Sequence, residues 1–564
     1  MQVTAPASGE QPTKLVDSDG LNNRIFIAIL LLITLGSLMP RLIIGYSEPV
    51  SYDGYWGSFI SLQKQSHEWW LDVRDSAHPP LFFLLQHFAM KLGGSWLALR
   101  TVVIACGTAT TFVIGLIAAK IFENRIFALL CAASFGFAMS IVVLDTDVRP
   151  YPLALLLITL AFLPFVDFVR DPRGANAGKA LLSFTGLTLV AQLSEHFSFF
   201  FYCACIGSVA VYAAGYRDFR KSVWAFIRRQ TLAVLGTMTL PPALLWIVSV
   251  VQLKYVAAVQ PHLAEYYLSS SGLKPWAYIR FNFARDLNSF LPLKINTLTE
   301  VSWIFAGIPI LVYLMFARGN AAKRSLSNLP FLIFLLLLLE LMIGGLINRY
   351  PFGGLPRQQS VIAPFLTLSG FALLDQFNSL AWRRRLTAPL AVLVALVIAT
   401  GFRHNWRNHA AASAIFQPEY DAFRKEFPSS PVVFADYFSC FGLYAATHTW
   451  IWRVDRSVIA SGSRIWVYQT QSPQGQDRLV LRDKDSWNLD FSQPDPYTVL
   501  ADTLRQTKLP NLILFWVKQG GKLLTPADEQ KQTAHFAELA NSAGLVLERG
   551  HFNGSVGFFQ FRLK

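Results

Sequence analysis

The sequence is poor in charge and in cysteine for a chain of its length. Of its 564 residues, 15% are charged, whereas soluble globular proteins carry about 25%. The five cysteines form no disulfide framework and no CxxC pair, and most of them lie in apolar segments, where a free thiol behaves as a small hydrophobic group. These shortages argue against a soluble protein, a disulfide-rich scaffold and a cysteine metal site.

The chain also lacks the features of a cleaved secretory signal and of a nucleic-acid-binding protein. Residues 1–23 are polar and predict a disordered cytoplasmic tail. The first apolar segment is too long for a signal peptide, and no small-residue cleavage site follows it. The net charge of +14 comes from short basic clusters between apolar segments, where the positive-inside rule places cytoplasmic loops. We therefore expect no nucleic-acid partner.

Long apolar segments dominate what is present. The chain is 53% hydrophobic, with a mean hydropathy of +0.38. About 20 apolar residues in a helix cross the hydrocarbon core of a bilayer. The segment 80–92 is too short for this, and we interpret it as a re-entrant or juxtamembrane helix. Eleven spans are predicted, at 25–44, 97–120, 126–144, 151–168, 180–196, 197–214, 231–251, 301–317, 329–347, 360–377 and 386–402.

This count places all the basic clusters on the cytoplasmic side, with the N-terminus inside and the C-terminus outside. Residues 24–402 then form a transmembrane domain. Residues 403–564 are more polar and contain strand-like runs at Val432–Phe434 and Leu512–Val517. Pro526 suits a first helical position, so a helix is predicted over Pro526–Ser542. The predicted fold is an α-helical polytopic membrane protein with a C-terminal soluble α/β domain outside the cytoplasm.

Five polar motifs fall on the predicted outer side of the membrane. Ionisable groups at membrane depth are costly and are usually functional. Each motif also has a structural interpretation, as a helix cap, a turn, a break between spans or a basic residue reaching lipid headgroups. The candidate residues are Asp53 in SYDGYW, His78 in AHPPL, Asp145, Asp147, Arg149 and Tyr151 in DTDVRPY, Glu195 with His196, and Arg349 with Arg357.

Residue type suggests a role for several of these candidates. Asp53 could act as the base that deprotonates a sugar acceptor. Arg349 and Arg357 break the positive-inside pattern, and a guanidinium binds phosphate oxygens in a bidentate way. Asp145 and Asp147 could place two carboxylates near a divalent cation, but solvated turn residues are the favoured interpretation. We assign no metal site from the sequence.

The motifs together resemble those of bacterial GT-C glycosyltransferases of the protein-mannosyltransferase superfamily. This group includes the lipid A aminoarabinose transferases and the rhizobial galacturonosyltransferases. The resemblance covers roughly residues 25–375 and is most specific in the run HPPLFFLLQH from His78, followed by KLGG at 91–94 and LR at 99–100. Weaker matches are Arg149-Pro150-Tyr151 with the preceding Asp147, His196-Phe197, and Arg357 with Pro364. The family's first-loop Asp-Glu pair is Asp53-Gly54 here, so a second carboxylate is missing.

The resemblance implies an enzyme that transfers a sugar, with inversion, from a polyprenyl-phosphate donor to an envelope lipid, glycan or protein. It implies no nucleotide sugar and places the active site on the outer face of a bacterial inner (plasma) membrane. Asp53 would be catalytic. The substrate-binding residues would be His78, Asp147, Arg149, Tyr151, Glu195, His196, Arg349 and Arg357. The sugar stays open among mannose, glucose, galacturonate, arabinose and aminoarabinose, and so does metal dependence.

Three other functions remain as alternatives. A flippase or transporter of polyprenyl lipids would also bind the carrier, but transporters often contain repeated halves, and no second copy of the Asp53 or His78 motif is present. A non-catalytic scaffold for envelope assembly is supported only by Gly54. A polymerase or ligase of lipid-linked glycans would share the chemistry, and only the HPPL run separates it from a transferase.

Overall fold

The structure is a computed structural model of the whole chain. It describes residues 22–47, 52–63, 66–74, 76, 78–93, 96–252, 266–290, 321–353, 356–378, 387–412, 425, 432–434, 453–458, 465–471, 478–483, 489, 491–517, 525–553 and 556–564.

The first half of the chain is entirely helical in the described residues. In order, its helices are α1 (Asn23–Ser47), α2 (Tyr52–Ser61), α3 (Ser66–Arg74), α4 (Pro80–Gly93), α5 (Trp96–Ile121), α6 (Arg125–Gly136), α7 (Met139–Leu144), α8 (Tyr151–Arg170), α9 (Ala177–Gln192), α10 (Ser198–Gly215), α11 (Arg217–Arg229) and α12 (Thr231–Val251). The helices that follow are α13 (Leu268–Ser271), α14 (Pro275–Phe290), α15 (Ala321–Leu346), a 3-10 helix (Pro356–Ile362), α16 (Ala363–Asn378) and α17 (Thr387–Ala412).

Seven of these helices are long and apolar enough to cross a membrane. They are Asn23–Ser47, Ala98–Ile121, Tyr151–Arg170, Ser198–Gly215, Thr231–Val251, Leu326–Leu346 and Thr387–His409. The last buries only 6% of its apolar window against the rest of the protein, and Leu232 on α12 is 85% exposed. Apolar faces of this extent are unfavourable in water and are satisfied by lipid. The chain is therefore a multi-pass membrane protein, as the sequence predicts.

Three predicted spans, 126–144, 180–196 and 360–377, contain no helix as long as 18 residues, and a fourth is not described. The segment 126–144 is two helices, α6 and α7, because Ala138 adopts an extended backbone that interrupts the helix. The interruption leaves carbonyl groups of α6 without a helical partner, and Arg41 of α1 donates to one of them, Gly136 O, at 2.8 Å. The spans 180–196 and 197–214 are α9 and α10, with Glu195 and His196 in the junction between them. The predicted span 301–317 lies outside the described residues.

The short apolar segment near residue 80 is a helix of 14 residues, α4. At 1.5 Å per residue it is about 21 Å long, which is less than the thickness of a bilayer core. Its side chains Phe82 and Phe83 are buried in the protein. The segment is thus helical and too short to cross alone, as predicted.

The C-terminal region contains a mixed seven-stranded sheet. Its strands are β1 (Val432–Phe434), β2 (Arg453–Val458), β3 (Ile465–Gln471), β4 (Arg478–Asp483), β5 (Leu512–Val517), β6 (Leu545–Asn553) and β7 (Val556–Leu563), in the order β2-β3-β4-β1-β5-β7-β6. Strand β1 is parallel to β4 and β5, and the other pairs are antiparallel. Within the described residues, two helices accompany the sheet, α18 (Asp495–Thr507) and α19 (Pro526–Ser542).

The predicted elements of this region are confirmed at β1, β5 and α19, whose bounds equal the predicted ones. Helix α19 begins as the sequence suggests, because Pro526 occupies the first turn and the Thr525 hydroxyl accepts a hydrogen bond from the Asp528 backbone N–H at 3.3 Å. The aromatic side chains Phe536, Phe559 and Phe561 close the core between the helices and the sheet. The region is an α/β unit, consistent with the predicted fold class.

Candidate active site

The candidate residues of the first half lie at helix ends that contact one another. Asp53 is in the first turn of α2, His78 precedes α4, Arg149 precedes α8, and Glu195 lies between α9 and α10. The connecting segments touch directly. The Leu81 backbone N–H donates to Leu193 O at 2.9 Å, and the Ser194 hydroxyl donates to Pro150 O at 3.5 Å. Four motifs that are far apart in the sequence therefore form one cluster.

Helix α2 approaches this cluster closely because residue 57 is glycine. A side-chain carbon at Gly57 would lie 2.5 Å from the backbone oxygen of Val148, in the turn that carries Arg149. The absence of that carbon lets α2 pack on the turn. The Asp53 carboxylate thereby comes within reach of Arg149.

Asp53 is held by two arginines from different parts of the chain. Arg149 Nη1 donates to the Asp53 backbone oxygen at 3.2 Å and lies 3.5 Å from its carboxylate Oδ1. Arg357, from the 3-10 helix, forms an ion pair with Oδ2 of the same carboxylate. The Asp53 side chain is 25% exposed and that of Arg357 is 26% exposed, so the site is partly open to its surroundings.

The two arginines control the charge of the carboxylate. Burial alone would raise the pKa of Asp53, but the charges of Arg149 and Arg357 outweigh burial and lower the pKa below its ordinary value of 3.8. Asp53 is therefore ionised at neutral pH. Both guanidinium groups also retain an Nε–H that is buried and has no hydrogen-bond partner among the described residues. Buried donors without a partner are unfavourable, and a ligand with acceptor oxygens would satisfy them.

A second carboxylate in the cluster is paired with histidine. His78 Nδ1 lies 2.5 Å from Glu195 Oε2, and both side chains are almost fully buried. Burial lowers the pKa of His78 below 6.5, although the Glu195 carboxylate opposes this decrease. For Glu195, burial raises the pKa, but its interactions with His78 lower it overall. The pair at neutral pH is thus a neutral imidazole that donates its Nδ1–H to a carboxylate.

Tyr151 connects the two parts of the cluster. Its ring meets the His78 ring edge-on, with centroids 5.5 Å apart, and stacks on Phe197 at 6.1 Å. Arg149 Nη2 donates to the Tyr151 hydroxyl at 3.3 Å and also lies over its ring. Contacts therefore run without a break from Arg357 through Asp53, Arg149, Tyr151 and His78 to Glu195.

His196, Asp147 and Arg349 occupy different positions relative to this cluster. His196 Nε2 contacts Gln252 Oε1 at 3.1 Å, and the Gln252 amide donates to His78 O at 2.9 Å. His196 is therefore connected to the cluster through Gln252. Asp147 lies close enough to Arg149 to interact with its charge. Arg349 is exposed near Tyr267, and its side chain forms no hydrogen bond or ion pair with the cluster within the described residues.

Asp145 does not face the cluster. Its carboxylate accepts hydrogen bonds from Arg41 Nε at 2.9 Å and Nη2 at 2.7 Å, and both side chains are buried. Arg41 is a charged residue inside an apolar segment, which is a sequence signal that could have drawn attention to it. Among the described residues, no group of three or more His, Cys, Asp or Glu side chains is placed to hold a metal ion.

Gln252 is a contributor that the sequence motifs do not identify, and Tyr350 follows Arg349 in one of the polar motifs but has no predicted role. Gln252 ends α12 and links His78 to His196, as described above. The Tyr350 hydroxyl donates to Gln358 O at 2.9 Å, next to Arg357, and its ring contacts Phe200. Gln252 is an ordinary polar residue at a helix end, and no sequence pattern separates it from many others.

The fold and the cluster together define a multi-pass membrane protein with a carboxylate held between two arginines. No protein-family model and no curated protein sequence matches the chain. Among solved structures, it is similar to ArnT from Cupriavidus metallidurans bound to undecaprenyl phosphate, with 13% identity, a TM-score of 0.48, and coverage of 95% of this chain and 97% of that one. The apo state of the same protein gives 14% identity, a TM-score of 0.47 and the same coverage.

A third similar structure is the archaeal oligosaccharyltransferase AglB from Archaeoglobus fulgidus, in complex with an inhibitory peptide and a dolichol-phosphate. The identity is 10% and the TM-score is 0.43, with coverage of 87% of this chain and 69% of that one.

Proposed function

We propose that this protein transfers a sugar, with inversion, from a polyprenyl-phosphate donor to an envelope lipid, glycan or protein on the outer face of the bacterial inner membrane. One observation carries the proposal. Asp53 lies between Arg149 and Arg357, and both arginines keep an unpartnered, buried Nε–H within the described structure. The sequence resemblance independently singles out the same three residues.

The arginines suit the phosphate of the carrier lipid. A guanidinium presents donors along two edges, so an arginine that holds Asp53 through Nη1 can still offer Nε–H to a phosphate oxygen. When the sugar leaves, negative charge increases on the phosphate. Donors that are already oriented towards that charge stabilise the transition state. Arg357, which is 26% exposed, is the more accessible of the two.

Asp53 suits the proton transfer. In the proposed step, the acceptor oxygen forms a bond to the anomeric carbon, and the bond from that carbon to the phosphate oxygen breaks. Polyprenyl phosphate leaves with the bonding electron pair, and the acceptor proton passes to Asp53. A base positioned in this way contributes roughly 10²–10⁴ in rate. The arginines keep Asp53 ionised and fix its direction.

The proposed orientation rests on the basic loops. If these loops are cytoplasmic, the ends of helices that carry the cluster face outwards, together with the C-terminal α/β region. His78, Asp147, Glu195 and His196 would then orient donor and acceptor from the helix junctions. Arg349 is not part of the proposed phosphate site, because its side chain is exposed and lies near Tyr267.

The test is sugar release from a panel of polyprenyl-phosphate sugars by the purified full-length protein, with an envelope extract as acceptor. We expect release from at least one donor by the unchanged protein and a loss of about 10³-fold in Asp53→Asn. The matched control is Asp167→Asn. Asp167 is partly exposed, pairs with Lys120 and lies near the end of α8 opposite to the cluster.

Full activity in a correctly folded Asp53→Asn protein would remove Asp53 from the chemistry. Binding of bare polyprenyl phosphate without release from any donor would contradict a transferase and favour lipid transport or a scaffold role.

A further inference from the structure

His78 presents one buried atom that the proposed reaction has not used. Its Nε2 atom is shielded from solvent and has no hydrogen-bond partner among the described residues. The rest of the side chain is well held, by Glu195 at Nδ1 and by the edge of the Tyr151 ring. Leaving a buried polar atom without a partner costs about 1–3 kcal/mol. A buried, firmly oriented nitrogen without a hydrogen-bond partner indicates that a group of a bound ligand supplies that hydrogen bond.

The partner of His78 decides what kind of group Nε2 can bind. An ionised carboxylate only accepts hydrogen bonds, so Glu195 requires the proton of the imidazole to be on Nδ1. Nε2 of the neutral ring then carries a lone pair and is an acceptor. Burial and the nearby charge of Arg149 both lower the pKa of His78, which favours the neutral ring against the opposing effect of Glu195. The ligand group at this position must therefore donate a hydrogen bond.

The charges in the cluster also favour a neutral or positively charged group on the sugar. Among its described residues, Asp53 and Glu195 balance the charges of Arg149 and Arg357, and Asp147 also lies near Arg149, so the cluster has no excess positive charge before any ligand binds. The donor phosphate adds negative charge. A sugar carboxylate would add more, in a partly buried site where unpaired charge is strongly unfavourable. A hydroxyl adds no charge, and an ammonium group offsets some of it.

We infer that His78 Nε2 accepts a hydrogen bond from a hydroxyl or ammonium group of the transferred sugar, and that the donor sugar carries no carboxylate. This inference rests on the proposed function, and it restricts the donor to polyprenyl-phosphate sugars without a carboxylate. Glu195 is a positioning residue, because it acts through the imidazole. Uronate donors, which the sequence resemblance leaves open, are excluded by it.

The experiment compares two donors that differ in one group, polyprenyl-phosphate galactose and polyprenyl-phosphate galacturonate. The full-length protein is titrated with each at neutral pH, and binding is followed by tryptophan fluorescence. We expect galactose to bind at least about 100-fold more tightly, because the galacturonate carboxylate adds a second negative charge to that of the phosphate in a partly buried cluster.

Acidification tests the tautomer argument on the unchanged protein. Protonation of His78 turns Nε2 into a donor, so the preference for galactose should shrink as the pH falls below 6.5, the ordinary pKa of histidine. The charged or titratable groups that face His78 are Glu195, Arg149, Tyr151, Asp53 and His196. Because His196 titrates in a similar range, His196→Asn is the control, and it should keep the pH effect.

Two substitutions complete the test. His78→Gln offers both a donor and an acceptor and should remove most of the preference. In Glu195→Gln the amide can donate a hydrogen bond to Nδ1, so the imidazole proton can move to Nε2, and the preference for galactose should weaken. Equal or tighter binding of galacturonate at neutral pH would overturn the inference and leave the transferase proposal standing. Failure to bind both donors and bare polyprenyl phosphate would overturn the two together.

Discussion

Two arginine–aspartate sites of this protein differ in almost every physical respect. Arg41 and Asp145 are 0% and 1% exposed, and every nitrogen of the guanidinium is engaged. Nε and Nη2 donate to Asp145, and Nη1 donates to the backbone oxygens of Ser37 and Gly136. Gly107 leaves room for this carboxylate, since a side-chain carbon there would lie 2.1 Å from Asp145 Cγ.

The site at Asp53 is partly exposed and has unengaged donors, whereas the Arg41–Asp145 site is buried and all its guanidinium nitrogens are engaged. Its carboxylate and Arg357 are each about one-quarter exposed, and Nε of Arg357 and of Arg149 has no partner among the described residues. Two arginines share one carboxylate, so each keeps a donor that the carboxylate does not engage. The comparison teaches that the same pair of residue types stabilises a fold when all its donors are engaged, and suits a ligand when some of them are not.

The largest expected effect comes from breaking the closed pair. Burial raises the pKa of Asp145 to about 6 despite Arg41, so the carboxylate is ionised at neutral pH. Arg41→Met would leave that charge unpaired and should lower the free energy of unfolding by about 3–5 kcal/mol. Thermal unfolding in detergent measures the loss. The double variant Arg41→Met/Asp145→Asn should recover most of the stability, and a double variant as unstable as the single one would contradict this role.

A smaller effect is expected at the open site. Arg357→Lys keeps the charge but loses the second edge of the guanidinium. We expect the affinity for polyprenyl phosphate to fall by about 10–100-fold, the equivalent of one charge-assisted hydrogen bond, with no change in thermal stability. Arg349→Lys is the matched control on the same segment, and it should leave the affinity within about twofold, because Arg349 is exposed near Tyr267. A larger loss in Arg349→Lys than in Arg357→Lys would reverse the assignment.

The smallest effect tests how α2 carries Asp53 to the arginines. In Gly57→Ala the new carbon would meet the Val148 backbone oxygen at 2.5 Å, so α2 must shift. We expect a cost of about 1–3 kcal/mol in stability and a several-fold loss of sugar transfer. Gly370→Ala is the control, since nothing lies within 4 Å of the added carbon in α16. It should be neutral, and equal losses in the two variants would argue against close packing at Gly57.

Several features of the molecule follow from local sequence alone. Apolar runs of about 20 residues predict membrane helices because each helix must bury an apolar surface of that length in lipid. The proline at residue 526 and the β-branched and aromatic run at Leu512–Val517 predict α19 and β5 with their observed bounds. The candidate residues also emerge from sequence, because polar groups between apolar spans stand out by type and place.

Only the tertiary structure decides which of these polar groups meet. His78 and Glu195 are 117 residues apart, and Arg41 and Asp145 are 104 apart. Hydropathy and residue spacing describe one segment at a time, so they do not predict contacts between segments. They could not show that Asp145 pairs with Arg41, or that Arg149 and Arg357 both contact Asp53. Nor could they show that Arg349 lies outside the cluster. Those outcomes depend on how helices pack, down to a missing side-chain carbon at Gly57 and at Gly107. The sequence by itself determined the helices and the candidate residues, and the packing of the helices decided which candidates form a site.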